Sequence, residues 1–108
     1  MSVGEIIFQQ MGGYKFIAMT GAYSLTSDNK SFSFRLPRNK NKIVGVAVEL
    51  EPNDTYKMSF VKSSGSVSKG TFKVEKEVVE DVYCDMLQDI FLDKTGLYTS
   101  CKLLKYLP

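Results

Sequence analysis

The stretch "SFSFRLPRNKNKIVGVAVEL" (residues 31–50) decides the fold. In its first six residues Phe32, Phe34 and Leu36 alternate with Ser31, Ser33 and Arg35, and in its last eight Val44, Val46, Val48 and Leu50 share one side. Successive side chains of an extended strand point to opposite faces. Period-two alternation therefore marks two strands of an antiparallel sheet with one buried and one wetter face. Between them "PRNKNK" (37–42) combines a proline, which fixes φ, with asparagines, which tolerate turn geometry, so the two strands are joined by a turn.

Working outward, "TYKMSFV" (55–61) puts Tyr56, Met58 and Phe60 on one side, and "TFKVE" (71–75) pairs Phe72 with Val74. "YKFIAMT" (14–20) is apolar on both faces and reads as a well-covered fifth strand. The connections "TSDNK" (26–30), "EPND" (51–54) and "KSSGSVSKG" (62–70) are rich in turn formers at hairpin distances, so a meander is the simplest topology.

Both ends of the chain change period. "SVGEIIFQQM" (2–11) suits a short helix capped by Ser2 and stopped by Gly12-Gly13. In "EVVEDVYCDMLQDIFLDKTG" (77–96) Val79, Val82, Tyr83, Met86, Leu87, Ile90 and Phe91 recur at three and four, with acids in the first turns, Lys94 in the last and Gly96 as a left-handed stop. The expected fold class is therefore α+β: a single domain, 1–108, whose antiparallel five-stranded meander sheet has one face covered by a C-terminal amphipathic helix (78–94) with help from the short N-terminal helix. The tail "LYTSCKLLKYLP" (97–108) fits a short helix or an edge strand.

Composition narrows the function classes. At 44% hydrophobic and 24% charged the chain is ordinary for a folded protein, and no apolar run reaches bilayer-spanning length. "MSVGEIIFQQMGG" lacks the cationic opening and long apolar core of a signal peptide, which points to the cytoplasm. Cys84 and Cys101 fit neither a disulfide framework nor a zinc cluster and read as free thiols.

The absence of histidine removes Ser-His-Asp and Cys-His pairs and every His-containing zinc site. Ser59-x-x-Lys62, Ser27-Asp28-Asn29 and Lys94-Thr95-Gly96 match three signatures of serine β-lactamases, but in the wrong order and on the wrong kinds of element, in a chain too short for that fold. No catalytic residue, cofactor or metal ligand is expected. Asp81, Asp85 and Asp89, four apart, read as the solvated face of the long helix, because carboxylates one turn apart repel without converging on an ion.

What remains is charge. Net charge is +2, but residues 1–46 carry six cations and two anions, leaving the remainder net acidic. Such asymmetry hints at an anionic partner. Lys15, Arg35, Arg38, Lys40, Lys42 and Lys57 form the candidate contact for nucleic acid or another anion, with Lys73 expected on the same wetter face and the two arginines supplying fork-shaped contacts to phosphate. Phe16 is the one aromatic expected to be exposed there, so stacking of bases is thinly provided. Against this stands the plain alternative that the loop is a charged turn covered by water.

Three segments, "GGYKFIAMTGA" (12–22), "FRLPRNKNK" (34–42) with "DTYKMSF" (54–60), and "YCDMLQDIFLDKTGLYTS" (83–100), together resemble a group of small, largely uncharacterised proteins of bacteriophages and mobile elements. The resemblance brings no activity, cofactor or site residue. It implies a protein that works by binding in the cytoplasm of a bacterial host, on nucleic acid or on a host complex that handles it, for example as a counter-defence inhibitor. Two alternatives stay open: a protein-interaction or homodimeric module using the apolar tail (Leu97, Leu103, Leu104, Tyr106, Leu107), and a small pocket that sequesters a phosphorylated or nucleotide metabolite.

Overall fold

A computed structural model describes residues 2–39, 41–65, 69–70 and 73–97. The chain runs α1 (Val3–Met11), α2 (Tyr14–Thr20), β1 (Tyr23–Ser27), β2 (Ser31–Arg35), β3 (Ile43–Leu50), β4 (Tyr56–Ser64), β5 (Lys73–Val82), a 3₁₀ turn (Cys84–Met86) and α3 (Leu87–Thr95). The five strands form one open antiparallel sheet in the order β1-β2-β3-β4-β5, the meander expected from the sequence. The expectations for Lys40, Phe72 and the tail beyond Leu97 lie outside the described residues.

The alternation in residues 31–50 is realised except at the start of β3, where a bulge between Ile43 and Gly45 puts Ile43 in the core and leaves Val44, expected beside Val46, half-buried along the loop groove. Phe32 faces Val48 and Phe34 faces Val46 across β2 and β3, while Val46 and Val48 face Phe60 and Met58 across β3 and β4. All six are buried. The helices pack on this same face. Phe16 of α2 lies edge-on to Phe34, with ring centroids 4.9 Å apart, and to Phe91 of α3 at 5.6 Å, and Phe8 of α1 tilts against Phe32 at 5.5 Å. Ile7, Met11, Leu87 and Val82 complete a dry core whose apolar burial is the main stabilising term.

α1 forms as expected: the Ser2 side chain accepts from the Glu5 amide, and Gly12 and Gly13 amides return to Gln9 and Phe8 carbonyls in a Schellman ending. The next segment does not follow the sequence reading. Residues 14–20 are a helix, and the first strand is Tyr23–Ser27, whose last two residues belong to the stretch expected as a turn (26–30). Gly13, at φ +61°, lets the chain leave one helix and start another at once, and burial then falls on Phe16 and Thr20, four apart. β1 escaped notice because all five of its residues are exposed and it carries a bulge at Ser24 (φ +53°).

The C-terminal helix is shorter than its periodicity suggested. Residues 73–82 pair with β4 along its length, so Val79 and Val82 reach the core from a strand, with a bulge at Asp81 (φ +56°) between them. Only Leu87–Thr95 is α-helical; Leu87 and Phe91 are buried and Ile90 packs against the core, whereas Tyr83 and Met86 are exposed. Asp81, Asp85 and Asp89 therefore sit on a strand, a 3₁₀ turn and a helix and do not stack on one helix face.

α2 and α3 end alike. Thr20 and Thr95 each donate a hydroxyl to the carbonyl four residues back (Phe16 and Phe91, both 2.7 Å) and each accept an amide two residues on (Ala22 at 3.2 Å, Leu97 at 3.1 Å). Gly21 and Gly96 follow in left-handed geometry at φ +73° and +75°. Both buried threonines are thereby satisfied, and both endings abut the loop between β2 and β3. A Cβ on Gly21 would stand 3.1 Å from the Pro37 ring, and Asn41 Nδ2 donates to the Lys94 carbonyl at 2.9 Å.

Candidate anion-binding site

The loop at 36–42 is held from within. Asn39 donates Nδ2 to the carbonyls of Pro37 (3.0 Å) and Ile43 (2.7 Å), and its Oδ1 accepts the Ile43 amide (3.1 Å). The Lys42 amide returns to the Asn39 carbonyl, and the Lys42 carbonyl accepts the Ser63 amide of β4. Lys42 takes a left-handed conformation (φ +59°), which the short-range bonds of Asn39 enforce. Pro37, Arg38, Asn39, Lys42, Val44, Ser63 and Gly65 line an open groove here, at the end of the sheet where β2 runs into β3 and β4 leaves toward β5. Arg38 and Lys42 are exposed on its walls, and among the described residues neither pairs with a carboxylate.

The face of the sheet away from the helices continues this end. Its rows follow from the strand register. Tyr23, Arg35, Gly45, Val61 and Lys76 form one row across all five strands, and Thr26, Ser33, Ala47, Ser59 and Val78 form the next. A further row holds Ser31, Glu49 and Lys57. These rows, apart from Tyr23, Ser31 and Val78, bound a shallow trough whose middle holds Ser33, Gly45, Ala47, Ser59 and Val61.

The expected site residues thus separate. Arg38 and Lys42 share the groove, and Arg35 stands beside it on the outer face. Lys57 lies on the outer face as expected but is engaged by two acids, Glu49 at 3.6 Å and Glu51 at 3.5 Å; the negative charge of Glu49 and then Glu51 raises its pKa above the ordinary lysine value. Lys15 is exposed in the first turn of α2, on the helical side of the sheet and away from the loop against which the opposite end of that helix rests. Phe16 is wholly buried, which corrects its expected exposure. Lys73 pairs with Ser64, one position out of step with the outer row of Ser63 and Val74, so it belongs to the helix-side face.

Other cations take their place. Lys62, Lys69, Lys73 and Lys76 are exposed in the half of the chain that is acidic overall, yet the meander carries them to the same end of the sheet as Arg35, Arg38 and Lys42. Glu75, opposite Lys62 in register, and Asp93, beside Lys94 in the last turn of α3, are acids of that end, and Glu77 is bound to Lys94, whose pKa it raises mainly through that hydrogen bond. The opposite end gathers Asp28, Glu49, Glu51, Asp54, Glu80 and Asp81. Linear charge counting missed this polarity because it lies along the strands, not along the sequence; knowing that β4 and β5 form a hairpin would have exposed it.

Among the described residues no three Cys, Asp or Glu side chains converge to hold a metal ion, and no helix is long and apolar enough to cross a membrane. Cys84 is exposed and unpaired on the 3₁₀ turn. No family model matches the chain, and neither curated proteins nor solved structures give a significant match.

Proposed function

We propose that this chain is a non-enzymatic binding protein that grips the phosphate backbone of a nucleic acid with the cationic end of its sheet. The observation that carries the reading is the gathering of Arg35, Arg38, Lys42, Lys62 and Lys76 from both halves of the chain to one end, where Glu75, Asp93 and the Lys94-bound Glu77 are outnumbered, while six acids collect at the other. Such a distribution steers and orients an anionic polymer, with counterion release as the driving term. Arginine forks match phosphate geometry, and a loop already fixed by Asn39 loses little freedom on binding. The resemblance to small phage and mobile-element proteins supports the same reading and sets it in the cytoplasm of a bacterial host, where occupying nucleic acid or blocking a complex that handles it requires no catalysis.

The test is titration of labelled DNA and RNA at about 50 mM and about 200 mM salt, where each phosphate contact contributes roughly 0.7 to 0.9 to the logarithmic salt slope. Replacing Arg38 and Lys42 together by alanine is expected to lower the slope by about 1.5. Binding absent at low salt, or unchanged in the double variant, refutes the reading.

A further inference from the structure

We infer that the bound polymer is single-stranded and lies in the trough on the outer face of the sheet, between Arg35 and Lys76. This deepens, and rests on, the reading of the cationic end as a phosphate site. The described helices all pack on the opposite face, through Phe8, Phe16 and Phe91. The trough floor is made of Ser33, Gly45, Ala47 and Ser59, none of which projects more than a hydroxymethyl group, with the half-buried Val61 between Gly45 and Lys76 as its one larger side chain. Arg35 on β2 and Lys76 on β5 stand in one row, three strand spacings or about 14 Å apart, with no carboxylate paired to either among the described residues.

A gap of that width admits one sugar-phosphate chain with its bases, whereas a duplex spans more than the gap and would rest on the walls without reaching the floor. At one end of the same row the Tyr23 ring is about half exposed (47%), beside Arg35, and offers the flat face on which an unpaired base stacks. At the far end of the trough Glu49 and Lys57 neutralise each other, so the attraction for phosphate is graded toward the loop that carries Arg38 and Lys42. Charge thus selects an anion, and floor depth selects a single strand.

Gly45 provides a test that leaves every charge in place. A Cβ there meets only the Phe34 carbonyl oxygen, at an ordinary 3.7 Å, and a β-branched residue suits a strand, so Gly45→Val is the floor variant, with its melting temperature as the check on folding. Its side chain fills the floor between the two cations. Fluorescence anisotropy of the full chain would use labelled oligo-dT and oligo-U of about 15 nucleotides, together with a duplex of the same length. The expected result is single-strand binding at least about tenfold tighter than duplex binding, and a loss of about tenfold or more in Gly45→Val at unchanged melting temperature. The two oligonucleotides separate DNA from RNA as the source of the strand. Ala47→Val repeats the test one row along. Equal or tighter duplex binding overturns the inference, as does unchanged single-strand binding in both floor variants; in either case a loss in the Arg38 and Lys42 double variant leaves the cationic end standing without the trough. If none of the three probes binds, both readings are overturned.

Discussion

Gly4 is where α1 meets the turn between β1 and β2, backbone against backbone. Its amide donates to the Asp28 carbonyl at 3.0 Å, and a Cβ built on it would stand 2.5 Å from the Ser31 carbonyl oxygen and 2.8 Å from both the Asp28 amide nitrogen and the Ser27 Cα. Gly4→Ala sets two effects against each other. Alanine favours a helix by about 1 kcal/mol over glycine. Relief of the clash, however, requires α1 to retreat by nearly 0.9 Å, since ordinary contact begins near 3.4 Å and all three neighbours are main chain. A gap of that size forfeits roughly a quarter to a half of the dispersion energy along the buried stripe of Ile7 and Met11, and overpacking of this kind costs about 2 to 3 kcal/mol. The clash wins, by about 1 to 2 kcal/mol net, which for a chain of this size is a fall in melting temperature of roughly 4 to 8 °C. Thermal melts and urea titrations followed by circular dichroism measure it. Gly45→Ala is the matched control, on a strand with only an ordinary 3.7 Å contact to the Phe34 carbonyl oxygen, and is expected to hold or raise stability by up to about 1 kcal/mol. If Gly4→Ala melts at or above the parent, the close approach of α1 to the turn is wrong.

Phe91→Ala removes the ring that joins α3 to Phe16 and Phe34, and a urea titration should register a loss of about 3 to 5 kcal/mol. Asn39→Ala deletes the three bonds that set the loop; stability should fall by only about 1 to 2 kcal/mol, while nucleic-acid affinity drops several-fold in the anisotropy assay although no charge has changed. Asp28 accepts the Lys30 amide, then the Ser31 amide and hydroxyl, and these bonds lower its pKa below the ordinary carboxylate value of about 3.8. A depressed folded-state pKa contributes stability that is present above the unfolded value and lost as pH falls through the folded one. The urea midpoint should therefore decline below about pH 4, and Asp28→Asn should flatten that decline.

The sheet centre was legible because each of its strands keeps one face wholly apolar: β2, β3 from Val46 onward and the first part of β4 follow their alternation, and only the bulge at Ile43–Gly45 exchanges Val44 for Ile43 in the core. Where both faces or neither were apolar, period alone failed. "YKFIAMT" has apolar groups all round, and what makes it a helix is the pair of glycines before it and the Thr-Gly ending after it, a signal repeated at 95–96. Residues 77–82 place valines at spacings that a helix also satisfies; pairing of β5 with β4, a long-range contact, overrides that local pattern. The candidate site was legible in part for the same reason. Arg35, Arg38 and Lys42 belong to one hairpin and could be grouped from sequence, whereas Lys62 and Lys76 join them only through strand pairing, and Lys57 is silenced by Glu49, which register alone brings opposite it.

The twin endings of α2 and α3 have an electrostatic consequence. Each helix turns its carbonyl pole toward the loop between β2 and β3, one through Gly21 against Pro37 and the other through the Lys94 carbonyl bound to Asn41. A helix carboxy terminus carries a partial negative charge and favours a nearby cation by about 0.3 to 1 kcal/mol. Mutual repulsion within the loop is thus eased by peptide dipoles, while among the described residues no carboxylate pairs with Arg38 or Lys42. The same negative poles that steady these cations would oppose any anion that approached them, so retention of an anion here would fall to the side-chain charges.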